Sequence, residues 1–148
     1  MISLIAKVVA HFRVNKIQKT YTKVIKTQDD ILLRLIKKAA NTKFGKDHKF
    51  TTISNYEEFK KIVPIRDYES IKNYIKDIQS GKENILWPGK PKYLAKTSGT
   101  TSGTKYIPIT KESLPFHIKS SRDAILFYIK QTGDSEFLNG KNIFIQGS

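Results

Sequence analysis

The chain has no cysteine, which excludes a disulfide framework, a thiolate nucleophile and any cysteine-ligated zinc or iron–sulfur centre. It is also poor in negative charge. Lys and Arg number 27 against 13 Asp and Glu, a formal net charge of +14, which puts anionic partners first: nucleotides, nucleic acid or acidic lipid surfaces. Long apolar runs are missing too. The most apolar stretch, Met1 to Phe12, is interrupted by Lys7 and His11 and has neither a basic start nor a small-residue cleavage site, so it reads neither as a membrane span nor as a signal peptide. With no cysteine, this points to a reducing, cytoplasmic setting. Internal repeats and low-complexity stretches are absent as well. What remains suffices for a fold, since 148 residues, 39% of them hydrophobic, fit one domain with a buried core.

The basic excess is uneven. Residues 1–50 hold 12 basic against 3 acidic side chains, residues 51–100 hold 9 against 6, and residues 101–148 hold 6 against 4. A solvated helical face accounts for such a bias. A small basic protein that binds nucleic acid or an anionic surface is the alternative, but no helix-turn-helix glycine, zinc-finger spacing or aromatic-rich RNA-binding strand accompanies it.

Apolar spacing predicts helices over the first half. Ile2, Ile5, Val9, Phe12, Ile17, Tyr21 and Val24 form a stripe on a basic amphipathic helix, with a break near Asn15, whose apolar face should dock on the protein's own core. A second helix should start near Gln28, with Asp29 and Asp30 in its first turn, bury Ile31, Leu32, Leu35, Ile36 and Ala39, and end before Gly45. Ser54 and Glu57 read as a capping box for a short helix through Tyr56, Phe59 and Ile62, which Pro64 stops. Asp67 can cap a further helix carrying Tyr68, Ile71, Ile75 and Ile78, with Gly81 at its left-handed C-cap.

After Gly81 the texture changes. Trp87-Pro88-Gly89-Lys90-Pro91 is a rigid turn, and Tyr93 to Ala95 and Tyr106 to Ile109 read as short antiparallel strands around an exposed tip, Ser98 to Thr104. Thr110 can cap a helix from Lys111 to about Gln131, with Phe116, Ala124, Ile125, Tyr128 and Ile129 inside and Gly133 at its end. Asn142 to Ile145 then resembles a buried strand, an ending closer to the middle of an α/β unit than to a finished domain, so a fragment is expected.

The unusual segment is Thr97-Ser98-Gly99-Thr100-Thr101-Ser102-Gly103-Thr104-Lys105. Glycines let backbone N–H groups approach an anion, hydroxyls add donors and lysine adds a full charge, so its chemistry is phosphate binding. A Walker A loop does not fit: three residues separate Gly99 from Gly103, Thr104 precedes Lys105, and a β-like Tyr-Ile-Pro-Ile follows instead of a helix. G-x-G-x-x-G and G-x-S-x-G are both missing. His11, His48 and His117 stand far apart and read as surface or packing residues, Glu57, Glu58, Asp67 and Glu69 as helix-start carboxylates, and Trp87 as core or turn packing.

Thr-Ser-Gly-Thr-Thr followed by a lysine resembles the phosphate signature of the adenylate-forming enzymes that include firefly luciferase and acyl-CoA synthetases. The surrounding segments narrow this: Phe44-Gly45-Lys46, Asn55-Tyr56-Glu57-Glu58-Phe59-Lys60, Val63-Pro64-Ile65-Arg66-Asp67-Tyr68-Glu69, Asn84-Ile85-Leu86-Trp87-Pro88, and Lys105-Tyr106-Ile107-Pro108-Ile109-Thr110. Together they resemble the auxin-responsive acyl-acid amido synthetase family, in its bacterial branch, from about Phe44 onward and more weakly before it. The resemblance implies an α/β fold: a helical amino-terminal region (1–80), a β-loop-β phosphate unit (92–110), then helix and strand (111–148), all from one luciferase-like adenylate-forming domain. It implies an ATP- and Mg²⁺-dependent ligase that activates a carboxylic acid as an acyl-adenylate and conjugates it to an amino acid, with no nucleic acid or membrane partner; the 148 residues alone should be inactive. Ser98, Gly99, Thr100, Thr101, Ser102, Gly103 and Thr104 match its ATP-binding positions, and Lys105 its catalytic lysine. Two positions depart: plant members often carry serine at the place of Thr101 and their lysine at the place of Tyr106.

Overall fold

Proline, glycine and capping side chains cut the chain into the elements of a computed structural model, which describes residues 2–97 and 103–141. Among these described residues six helices precede and follow one hairpin: α1 (Ile2–Gln18), α2 (Val24–Ala39), α3 (Lys43–Asp47), α4 (Tyr56–Ile62), α5 (Tyr68–Gln79), strands β1 (Tyr93–Thr97) and β2 (Lys105–Ile109), and α6 (Leu114–Thr132). Short 3₁₀ turns cover Lys19–Lys23, Phe50–Thr52 and Glu136–Asn139. The expected helix-rich fold with a β-loop-β insertion is present, and the two strands pair antiparallel. The strand expected at Asn142 to Ile145 lies outside the described residues.

The chain divides into two compact units, Met1–Lys23 with Pro115–Ser148, and Val24–Leu114. In the first, Ala10 and Val14 of α1 meet Leu126 and Ile129 of α6, flanked by Ala6, Phe127 and Leu138. Arg13 grips Asp123 with two hydrogen bonds, Nε to Oδ1 at 2.9 Å and Nη2 to Oδ2 at 2.6 Å, and holds that carboxyl below the usual aspartate range. The buried face of α1 corrects the sequence reading: Ile5, Val9 and Phe12 of the anticipated stripe are exposed, as are Leu4 and Val8. Small Ala6 and Ala10 admit close helix approach, so the face that packs is the one with less bulk. The break also comes later than Asn15. Thr20 and Thr22 hydroxyls donate back to the carbonyls of Ile17 and Lys19, a competition that favours the tighter turn there.

In α6 the same kind of correction applies. Ile129 is buried as expected, but Phe116, Ala124, Ile125 and Tyr128 are exposed, and Leu126 takes the second core position. Thr110 and Ser113 exchange hydrogen bonds in a turn ahead of the helix, which therefore starts at Leu114 rather than Lys111.

The second unit carries two apolar clusters. Ile36 and Ala39 of α2 pack with Phe50 and Ile53, joined by Leu32, Phe44, Phe59 and Trp87. Helix α2 begins four residues before Gln28, so Asp29 and Asp30 fall outside its first turn, while Ile31 and Leu35 stay exposed over somewhat less than half of their surface. Helix α3 was not anticipated. Its first N–H groups are all satisfied: Lys43 and Phe44 donate to the carbonyls of Asn84 and Ile85 at 2.7 and 2.9 Å, and Gly45 to the Thr42 hydroxyl at 3.0 Å. The cap of α4 lies one residue beyond Ser54. Asn55 accepts from the Glu58 N–H at 2.9 Å, and the Glu58 carboxylate accepts from Ser54 N–H and Oγ at 2.7 and 2.9 Å. Asp67 caps α5 through the Ser70 N–H at 2.9 Å, and Gly81 closes it at φ 87°, as expected.

Candidate functional site

The hairpin is held at its base by side chains from α5. Register pairs Tyr93 with Ile109, Leu94 with Pro108, Lys96 with Tyr106 and Thr97 with Lys105, so the Thr97–Lys105 pair closes a seven-residue connection, 98–104. Leu94 and Tyr106 pack beside the buried cluster of Ile75, Ile78 and Ile85, together with Tyr68. Before β1, residues 84–89 form a closed turn: Gly89 N–H donates to Asn84 Oδ1 at 2.8 Å and Asn84 N–H to the Gly89 carbonyl at 3.1 Å. The stiff Trp87–Pro91 segment is thereby tied to α3 on one side and leads directly into β1 on the other.

Of the residues singled out for phosphate chemistry, Ser98, Gly99, Thr100, Thr101 and Ser102 lie outside the described residues. Gly103 and Thr104 are exposed. Gly103 has φ 77° and open space around its Cα, so backbone conformation, not crowding, requires glycine there. Lys105 opens β2, half-buried, with Nζ 5.7 Å from the centre of the Tyr68 ring. Lys111 stands exposed in the turn after β2.

Two neighbours of Lys105 were not legible as such. Tyr68 reads as a core position of α5 and Asp67 as its cap; Asp67 does cap the helix, Tyr68 lies partly buried beside the core, and the fold also brings both to β2. The Tyr68 hydroxyl accepts from the Tyr106 N–H at 2.9 Å. The Asp67 carboxyl sits below its ordinary value, first through the Ser70 hydroxyl and N–H, and additionally through the positive charge of Lys105. Neither relation has a signal in local spacing, because about 37 residues intervene.

Other candidates resolve as packing. His48 is buried; its Nδ1–H donates to the Phe44 carbonyl at 2.8 Å, Nε2 accepts from Arg66 Nη2 at 2.9 Å, and the ring stacks on Phe44. Trp87 packs against the α2 cluster under the Lys38 ammonium, 5.5 Å from its ring centre. Among the described residues no three His, Asp or Glu side chains gather to hold a metal ion, and no helix is long and apolar enough to cross a membrane.

Residues 13–143 match the profile of the GH3 family N-terminal domain. The Arabidopsis thaliana protein named indole-3-acetic acid-amido synthetase GH3.15 is 35% identical over 118 residues, 78% of this chain and 20% of that protein. A solved structure of a GH3.15 acyl acid amido synthetase superposes with TM-score 0.71 at 27% identity, over 79% of this chain and 21% of the other. The chain thus spans about a fifth of the length of the relatives it matches. With the sequence profile, the relative and the superposed fold in agreement, and with the resemblance read from the loop and its flanking segments, the chain belongs to the GH3 family.

Proposed function

We propose that the chain is the ATP-phosphate-binding, amino-terminal portion of an acyl-acid amido synthetase, within a luciferase-like adenylate-forming domain. The observation that carries this reading is the hydroxyl- and glycine-rich connection between β1 and β2, closed by Lys105, inside a GH3-family match. In such a reaction a carboxylate oxygen attacks the α-phosphorus of ATP and the bond to pyrophosphate breaks. The amine of an amino acid then attacks the acyl carbon, AMP leaves with the carbon–oxygen bond electrons, and the nitrogen sheds a proton.

The first step brings two anions together and releases a third. Loop N–H groups and the hydroxyls of Ser98, Thr100, Thr101, Ser102 and Thr104 supply donors to phosphate oxygens, and Lys105 supplies a cation where charge develops on the departing pyrophosphate. Glycines 99 and 103 keep the backbone bare enough to approach. Mg²⁺, which this reaction class uses with ATP, would add its own charge at the phosphates, and the groups of this chain that would meet them are the loop donors and Lys105.

The test is a chimaera in which this chain replaces the matching amino-terminal residues of the Arabidopsis synthetase. Acid-dependent ATP–pyrophosphate exchange should survive the replacement. In that background Lys105→Ala should lower kcat/KM for ATP about tenfold to a hundredfold, and Ser98→Ala or Thr101→Ala less, because a charge-assisted contact outweighs one neutral donor among several. The 148 residues alone should exchange little or no pyrophosphate, since a hairpin cannot orient all the reacting groups. Full exchange by Lys105→Ala with a dead Lys111→Ala would move the phosphate lysine to Lys111; full exchange by a variant lacking Lys105 and the loop hydroxyls together would overturn the reading.

A further inference from the structure

We infer that Tyr68 is the positioning residue for Lys105, fixing the strand that leaves the phosphate loop and holding the lysine's cation at its mouth; the inference rests on the phosphate-site reading above. Three contacts converge on this side chain. Its ring packs on Ile75, Ile78 and Ile85, the cluster that also receives Leu94 and Tyr106 from the hairpin. Its hydroxyl accepts the Tyr106 N–H at 2.9 Å. Its ring centre lies 5.7 Å from Lys105 Nζ, within reach of a cation–π attraction.

Each contact answers a need of the hairpin. A two-stranded ribbon is marginal by itself in water, and every second N–H along its outer edge points away from the partner strand. Tyr68 fills that edge at Tyr106, one residue after the lysine, and its partly buried ring ties the strand to α5. Lys105 in turn carries a flexible four-carbon stem whose ordering opposes ligand binding. An aromatic face beneath the ammonium, with the Asp67 carboxylate adding a favourable field from the preceding residue, restrains the cation before a phosphate arrives. Restraint of this kind improves affinity by lowering the ordering cost on binding.

The helix cap completes the device. Asp67 accepts from the Ser70 N–H at 2.9 Å and the Ser70 hydroxyl at 2.6 Å, which sets the first turn of α5 and therefore where the Tyr68 side chain leaves it. Position along the chain thus passes from cap to tyrosine to strand to lysine, all within the unit Val24–Leu114.

The test uses the 148-residue chain, tripolyphosphate as probe, and NMR. Tyr68→Phe removes the hydroxyl and keeps the ring; Tyr68→Leu removes both and keeps apolar bulk. The Lys105 Cε protons should be ring-shifted upfield in the parent and in Tyr68→Phe, and return to the free-lysine position in Tyr68→Leu. The Tyr106 amide should exchange about tenfold faster in both variants. The tripolyphosphate Kd should rise about threefold in Tyr68→Phe and about three- to tenfold in Tyr68→Leu, and the Tyr68→Leu loss should vanish when Lys105→Ala is already present. A purely structural tyrosine would give the same loss with or without the lysine.

An unshifted Lys105 in the parent, an unchanged Kd in Tyr68→Leu, or an undiminished loss in the Lys105→Ala background would overturn the inference. If Tyr68→Leu does not fold, the Tyr106 amide and the Kd of Tyr68→Phe decide. A parent chain that shows ring-shifted Lys105 protons but does not bind tripolyphosphate would overturn the phosphate-site reading while leaving the Tyr68–Lys105 contact in place.

Discussion

A methyl group placed on Gly45 would lie 2.1 Å from the carbonyl oxygen of Ala39 and 2.9 Å from that of Ala40. Both are backbone atoms at the end of α2, so no rotamer change relieves the clash, and α3 is fixed there by three hydrogen-bonded N–H groups. Gly45→Ala should therefore destabilise the chain by about 3 kcal/mol or more, at the upper end of overpacking effects. Gly103→Ala meets only the strain of a left-handed backbone, about 1–2 kcal/mol, because nothing lies within 4 Å of the added carbon. Urea unfolding of both variants checks the order, and a Gly45→Ala loss below that of Gly103→Ala would count against the close approach. Asp67, Gly81 and Gly133 were legible because their tasks are local: a cap or a turn depends on the few residues beside it. Gly45 and Tyr68 were not, since what makes them special is backbone or strand brought from elsewhere by the fold.

The elements repeat this contrast. Strand pairing on both sides of the loop could be read from β-branched and aromatic residues flanking two glycines, and Pro64 marked the end of α4, which stops at Ile62. Which face of a helix would pack could not be read, because α1 is apolar on two sides: Ala6, Ala10 and Val14 face α6, while Leu4, Ile5, Val8, Val9 and Phe12 are exposed. Periodicity favours the bulkier stripe, and close helix approach favoured the smaller one. Caps are sensitive to a single residue of phase for a similar reason, since Ser54 and Asn55 are both good capping types followed by a run of glutamates. The geometry assigns the cap to Asn55, whose side chain accepts from Glu58 N–H. Asn55→Ala should accordingly cost about 1 kcal/mol in chemical denaturation. Ser54→Ala should cost less, because its backbone N–H still reaches the Glu58 carboxylate; the reverse order would return the cap to Ser54.

For the molecule as a whole, the scarce carboxylates stand against a large excess of positive charge, and the fold uses several of them. Asp123 takes two hydrogen bonds from Arg13, Asp77 binds Lys43 and Lys82 at 2.6 Å each, Glu58 accepts from Ser54, and Asp67 accepts from Ser70. Each is thereby held below its ordinary value of 3.8 for aspartate or 4.5 for glutamate. The sign follows from proton counting. Between the ordinary and the lowered value the unfolded chain binds more protons than the folded one, so their stabilising contribution is complete above about pH 5 and is lost as pH falls through the folded values. Protonation also removes negative partners from a chain with 27 Lys and Arg, and the resulting self-repulsion acts in the same direction. The partners Arg13 and Lys43, raised by the same hydrogen bonds, lose their contribution only at alkaline pH. The urea midpoint should therefore fall steadily between about pH 5 and pH 3, and about 0.3 M salt should restore part of the loss by screening the repulsion between exposed charges. Asp77→Asn with Asp123→Asn should lower the midpoint at neutral pH and flatten the acid slope, because two of the groups whose protonation drives it are gone. A midpoint indifferent to acid, or a double variant with an unchanged slope, would mean that these pairs leave stability to the apolar clusters alone.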